Sequence, residues 1–331
     1  MLKFNEQEEI KSVEGALALR SQINQVVDGI CDKGYKNICW LGIGGTYASA
    51  MLTVIHMKEK SAIDTFSENA AEFMTTGNRR LGEGSVVIFS SVTGNTKEVV
   101  EAVALAKEKG ATIIGFLDQA GTDLGSKADY EIVYPKNENL KFFMVADRFM
   151  ARNNEFSDYE AFYRQLDQHL AQGLVNVAKQ CDEFAKDFAY KHMNDCLHYF
   201  VGAGILWPAT YSYAMCCWEE QHWLKTKSVH AAEFFHGTLE VIERDVPITI
   251  FIGEDSQRAL GKRVADFVPK ICSNYTIIDA ADYPLEGIDD QYRGNLSSII
   301  THVIDARIDV YLEHFNCHPM EIRRYYRKLN Y

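Results

Sequence analysis

Residues 37–58 read NICWLGIGGTYASAMLTVIHMK, and the order of residue types in that stretch sets the fold. NICWLG (37–42) is an apolar run without alternation, the pattern of a strand covered on both faces. Glycines follow, and TYASAMLTVIHMK (46–58) reads as a helix. The scheme repeats downstream. SVVIFS (85–90) is a second strand, and KEVVEAVALAKEKG (97–110) is a helix with apolar Val99, Val100, Val103 and Ala106 and a stop at Gly110. ATIIGFLD (111–118) and YEIVYP (130–135) continue it. Strands alternating with helices predict an α/β fold with a doubly wound parallel sheet.

The second half echoes the first. HYFVGAGILWPATYSYAM (198–215) resembles 37–52, VPITIFIGEDSQRALGKRVADFV (246–268) resembles 84–106, and NYTIIDAADY parallels ATIIGFLD. Matching segments at nearly equal spacing point to internal duplication. Two domains are expected, 1–150 and 151–331, the second comprising connecting helices, a repeat of the sheet and a tail. A long helix is expected near 295–314.

Bulk properties exclude several functions. The chain has 331 residues, 47% apolar and 24% charged, with net charge −12. That charge argues against nucleic acid, which is bound by clustered Lys and Arg. The opening MLKFNEQEEIKS is acidic, the reverse of a leader peptide, and no apolar run approaches the roughly 20 residues that cross a bilayer. Eight scattered cysteines suit free thiols, hence a cytoplasmic protein with no membrane partner.

Ligands of open parallel sheets collect at the carboxyl ends of strands, where helix amino termini favour anions. Two loops meet that description. GIGGTYA contributes Gly45 and Thr46, and SSVTGNT contributes Ser91, Thr93 and Thr96, with Gly94 for the turn. Helix capping alone also explains such residues. A Walker loop needs Lys before its last hydroxyl, and Asn95 stands there. In the second half Glu254 and Asp255 replace the hydroxyls, so only the first half is expected to hold a phosphate.

GIGGTYASA with SSVTGNTKEVVEA resembles the sugar isomerase (SIS) domain. The resemblance spans both halves and implies two tandem SIS domains, flavodoxin-like αβα sandwiches, with Thr46, Ser91, Thr93 and Thr96 binding the phosphate of a sugar. Val92 departs from the Gln of many relatives.

A second constellation lies in WEEQHWLKTKSVHAAEFFHGTLE (218–240), where Glu219, Glu220, His230, Glu233 and His236 sit among aromatics. The residues alone allow either an acid–base cluster or a solvated helix end with satisfied histidines. EFFHG resembles the E-x-x-H-G-P loop of the isomerase and deglycase branch of SIS proteins. That implies catalysis by Glu220 and His236, with His230 and Glu233 as further substrate contacts. Cys217 stands where synthase-type isomerases carry Lys, and Thr238 replaces the loop Pro. The tail, with His318, Pro319, Arg323, Arg324, Tyr325, Tyr326, Lys328 and Tyr331, resembles that of fructosamine-6-phosphate deglycases, implying that it folds over the site and that Arg324 binds substrate. The same resemblance implies a homodimer or higher homo-oligomer, no cofactor, and conversion of a phosphorylated Amadori product to glucose 6-phosphate. An aldose–ketose or aminosugar phosphate isomerase and a non-catalytic sugar-phosphate sensor are the alternatives. His314, Cys317 and His318 of HFNCHP lack a fourth ligand, so no metal site is expected.

Overall fold

The computed structural model describes residues 1–330; Tyr331 of the tail motif lies outside the described residues. The chain forms two compact units, Gln7–Ala171 and Met1–Glu6 with the chain from Gln172 onward. The expected boundary at residue 150 falls inside a helix, and the first unit runs some twenty residues further. Side chains beyond 150 explain this. Tyr159 donates to Asn24 at 2.7 Å, Tyr163 donates to Asp147 at 2.6 Å, and Asp167 takes a two-pronged bond from Arg20 at 2.7 and 2.6 Å.

Along the first unit run α1 (Glu6–Ala18), α2 (Arg20–Lys33), β1 (Asn37–Gly42), α3 (Gly45–Lys58), β2 (Thr65–Asn69), α4 (Ala70–Thr76) and β3 (Ser85–Ser91). There follow α5 (Lys97–Glu108), β4 (Thr112–Leu117), α6 (Asp123–Lys127), β5 (Tyr130–Val133), α7 (Glu138–Arg152) and α8 (Tyr159–Gln165). The strands form a five-stranded parallel sheet in the order β2-β1-β3-β4-β5. Every residue of β1 and β3 is buried, as their unbroken apolar character demands. Alternation divides the core. Cys39, Leu41, Val87 and Phe89 pack with Phe73 of α4 and Val99 and Val103 of α5, whereas Trp40 turns the other way onto Phe142 of α7, ring centroids 5.1 Å apart. Helices therefore cover both faces. Arg148 of α7 clamps Asp28 of α2 at 2.8 and 2.6 Å.

The second unit carries α9 (Ala171–His192), β6 (His198–Gly202), α10 (Leu206–Ser212), β7 (Thr226–His230), β8 (Ile248–Ile252), α11 (Arg258–Phe267), β9 (Tyr275–Asp279) and α12 (Asp290–Asn316). Its four-stranded parallel sheet has the order β7-β6-β8-β9, matching β2-β1-β3-β4 of the first. The duplication thus extends from sequence spacing to strand order, and two doubly wound parallel sheets in tandem are present. Residues 1–6 join this unit because Arg307 of α12 holds both Asp182 of α9, at 2.7 Å, and the Leu2 carbonyl, at 2.9 Å. Among the described residues no helix is long and apolar enough to cross a membrane.

Each first strand ends at a glycine for a steric reason. A Cβ on Gly42 would sit 2.5 Å from the backbone of Thr46 and Tyr47, and one on Gly202 2.2 Å from the Thr210 hydroxyl. Two residues on, Gly44 and Gly204 take φ of +59° and +57°, a region other residues rarely enter. Gly42→Ala must therefore push α3 off β1. We expect it to cost about 1–3 kcal/mol, as other overpacking changes do, read as a lowered denaturant midpoint with unchanged slope.

Candidate active site

Both anion loops of the first unit lie at carboxyl ends of neighbouring strands. After β1, the Thr46 hydroxyl accepts from the Ile43 amide at 3.1 Å and donates to the Ile43 carbonyl at 3.0 Å. It shapes the turn and leaves the first amides of α3, Gly45 among them, outside the helix's own ladder. After β3, the buried Ser91 hydroxyl accepts from the Gly94 amide at 3.0 Å and keeps its proton to donate. Gly94 has φ of +64°, and a Cβ there would lie 2.4 Å from Thr122. Thr93 and Thr96 are half-buried, Thr96 standing at the N-cap of α5, and Val92 is exposed. Nearby, the buried ammonium of Lys141 donates to the Tyr134 carbonyl at 2.6 Å and lies 3.9 Å from Asp118. Burial pushes its pKa down.

The equivalent place in the second unit is filled by the protein itself. The Asp255 carboxylate accepts from the Ile205 amide, the counterpart of Gly45, at 3.0 Å. A Cβ on Gly204 would lie 1.9 Å from that carboxylate. Repulsion is thus only part of why Asp255 excludes a phosphate. Its side chain already occupies the seat.

Glu220 follows a π-helical segment, Tyr213–Glu219, that prolongs α10. Its amide donates to Met215 five residues back at 3.1 Å. Glu219 is spent on structure, accepting from the Thr226 hydroxyl at 2.6 Å where β7 begins. Glu220 is 36% exposed and accepts from Arg323 Nε at 2.7 Å. Arg323 also donates to the carbonyls of Met320 and Ile322. Arg324, the expected tail contact, instead lies over the Trp223 ring at 4.0 Å, and His318 packs at a tilt on the same ring with centroids 4.0 Å apart. The tail therefore meets Glu220 through Arg323. The adjacent arginines gave the sequence no means of choosing. His318, Pro319, Glu313 and Lys3 help to line a groove of about 370 Å³ that none of the expected site residues borders.

His230 ends β7, and Glu233 and His236 lie in the turn that follows. The Ala232 amide donates to His230 Nδ1 at 3.1 Å, and the His236 amide donates to the Glu233 carbonyl at 2.9 Å. The His236 side chain is exposed. This turn does not join Glu220. Trp218 anchors the Glu220 segment against Phe200, centroids 4.9 Å apart. Phe234 anchors the His236 turn among Tyr199, Val201 and Val264. Phe200 and its neighbours in β6 point to opposite faces, so within one chain the second sheet stands between the two groups expected to act together.

Under the Glu220 segment α12 presents Asp305 and Asp309, which the sequence reading missed although two acids four apart interrupt an apolar stretch. His222 Nε2 bonds Asp309 at 3.1 Å, and the His222 amide donates to the Cys217 carbonyl at 3.1 Å. Burial, and then the Asp309 charge, push the Asp305 carboxyl well up. Burial does the same to the Cys217 thiol and the Tyr213 phenol. Only His192, Asp195 and His198 group closely enough for a metal among the described residues. There both Nδ1 atoms converge on one Asp195 oxygen at 2.7 and 2.8 Å, a hydrogen-bonded arrangement, and burial lowers the His198 pKa to about 4.

Comparison with known proteins agrees with the fold. The SIS domain family model matches residues 34–150. Fructosamine deglycase FrlB of Bacillus subtilis is 32% identical over 94% of this chain and 97% of its own. Fructoselysine 6-phosphate deglycase of Escherichia coli is 25% identical over 92% and 89%. A solved Bacillus subtilis structure described as a phosphosugar isomerase superposes with TM-score 0.88 at 28% identity, covering 94% of this chain and all of that one.

Asp305 yields a prediction with a fixed sign. Its folded pKa is raised, so its contribution to stability is present below about pH 4, the unfolded value, and is lost as pH climbs towards the folded value. Asp305→Asn removes the need to keep a proton. The variant's melting temperature should gain on that of the parent as pH is raised from 5 to 8, by scanning calorimetry. A gap that is constant or narrows contradicts the assignment.

Proposed function

The chain belongs to the SIS-domain family, within its deglycase group, and from that premise we propose that it cleaves phosphorylated fructosamines to glucose 6-phosphate and a free amino acid. The observation that carries this reading is the pair of glycine loops, one left open to an anion and the other closed by Asp255. An enzyme of phosphosugar chemistry needs one such seat, and the first unit offers it.

In this mechanism the ester phosphate rests on the amides at Gly45 and Thr46 and on the hydroxyls of Ser91, Thr93 and Thr96. His236 opens the sugar ring. Glu220 takes a proton from C1 of the ketoamine, leaving an enaminol between C1 and C2. Return of a proton to C2 gives the C1 Schiff base. Water adds at C1, the C1–N bond breaks, and the amine departs with a proton. The C2 carbonyl takes up the electron pair of the C1–H bond as its oxygen gains a proton, and the nitrogen lone pair drives the second step, so the half-buried Cys217, where other isomerases carry Lys, costs the reaction nothing. The eight free thiols, Cys196 and Cys317 exposed among them, suit a cytoplasmic enzyme.

Because a sheet separates Glu220 from His236, we propose that a homodimer, or a higher homo-oligomer built on it, joins Glu220 of one copy to His236 of another.

Two experiments test this. Offered phosphorylated fructosamines, the protein should release glucose 6-phosphate and amine in equal amounts. Glu220→Gln should lower kcat by about 10²- to 10⁴-fold, the share of a positioned acid or base, while phosphate affinity is kept. Ser91→Ala should instead raise KM by about tenfold or more, as expected on losing a hydrogen bond to a charged group. Glu220→Gln and His236→Ala, each inactive alone, should on mixing and subunit exchange recover about a quarter of full activity, since half the dimers then hold one intact site. No recovery despite exchange places both groups in one chain's site.

A further inference from the structure

The Glu220–Arg323 pair sets a problem for the reading above, on which this inference rests. The carboxylate that must accept a proton is bonded at 2.7 Å to a guanidinium from the tail. An arginine stays charged at any working pH. The guanidinium engages Oε1, one of the two oxygens that could take the C1 proton. Drawing Arg323 away frees the whole carboxylate for the reaction.

The pair is built to be broken. The two side chains are 36% and 21% exposed, so water reaches and screens the pair, which weakens its hold. Arg323 itself is well placed even without Glu220. Its Nη1 bonds the Met320 and Ile322 carbonyls, and Arg324 and His318 lie against Trp223. A carboxylate that takes Arg323 from Glu220 exchanges like for like, because a guanidinium carries five donors in a plane that suits one carboxylate as well as another. The fructosamine of an α-amino acid brings such a carboxylate one carbon from the nitrogen, hence near the C1 proton that Glu220 removes.

We propose that Arg323 is the receptor for the substrate's α-carboxylate, and that this carboxylate frees Glu220 by displacing it from the guanidinium. The device is a specificity filter. Amines without a carboxylate leave the base occupied, so the enzyme selects phosphorylated fructosamines of amino acids over those of simple amines.

The test uses two 6-phosphorylated fructosamines that differ only in the carboxylate, those of glycine and of methylamine. Wild type should favour the glycine compound in kcat/KM by about tenfold or more, the worth of a charge-assisted pair. In Arg323→Gln the preference should shrink to within about twofold, while Arg324→Gln should retain it. Calorimetric titration adds a readout that a merely structural role would not move. In Glu220→Ala, with the internal competitor gone, the glycine compound should bind more tightly than to wild type and the methylamine compound should not. Equal use of the two compounds by wild type, a preference that survives Arg323→Gln, or loss of it in Arg324→Gln overturns the proposal. If neither compound releases glucose 6-phosphate, the deglycase reading falls. The titrations still decide the role of Arg323, since carboxylate-dependent binding that vanishes in Arg323→Gln upholds it and binding indifferent to the carboxylate sinks it.

Discussion

Both units depend on one steric constraint, the contact between the end of a buried parallel strand and the helix that follows. At Gly42 and again at Gly202 the helix backbone or its threonine lies closer than a Cβ permits. That contact turns the first amides of the helix towards the strand ends and leaves them without partners in the helix. A parallel sheet built this way makes an anion seat whether or not one is used. Duplication made two. The first has hydroxyls around it, and the second has Asp255, whose carboxylate answers the same amide that a phosphate would. A vacant anion seat in the second unit would leave backbone donors unsatisfied, so the substitution serves stability where binding is not needed.

The fold was legible in the sequence because parallel strands buried on both faces announce themselves. NICWLG and SVVIFS carry no alternation, and each is followed by glycine and then by helical periodicity. Residue type also told the two halves apart, since Glu254 and Asp255 stand in the loop where the first half has hydroxyls. It did not show that α7 and α8 extend the first unit past residue 150, because the ties there are single hydrogen bonds from Tyr159 and Tyr163 to distant residues. Such long-range pairs leave no local pattern.

The site was legible only in pieces. Glu220 and His236 are sixteen residues apart in a stretch rich in aromatics, which reads as one cluster. Right-handed crossovers place the helix after β6 on one face of the sheet and the connection after β7 on the other. Trp218 and Phe234 obey that rule, and the catalytic candidates follow them to opposite sides. Proximity in sequence was therefore misleading, while topology contained the answer. Arg323 is a different case. Nothing in HPMEIRRYY distinguishes it from Arg324. The choice is made by Trp223, which takes the ring of His318 and the guanidinium of Arg324 and so turns Arg323 towards the carboxylate.

The π-helical turn explains why the second of two adjacent glutamates, and not the first, faces the tail. A segment bonded five residues back holds one residue more per turn than an α-helix. Without it, every side chain beyond Tyr213 would rotate by about 100° around the axis. Such a shift would move Glu219 off Thr226 and Glu220 away from Arg323. The wide turn is held from beneath by buried polar groups, with His222 bridging the Cys217 carbonyl and Asp309. Burial, and then the Asp309 charge, push the Asp305 carboxyl beside it well up. Groups of this kind are costly to bury and are kept where a backbone irregularity has a purpose. Here the irregularity sets which carboxylate meets the guanidinium, so a cluster on α12 decides the geometry of the Glu220–Arg323 pair.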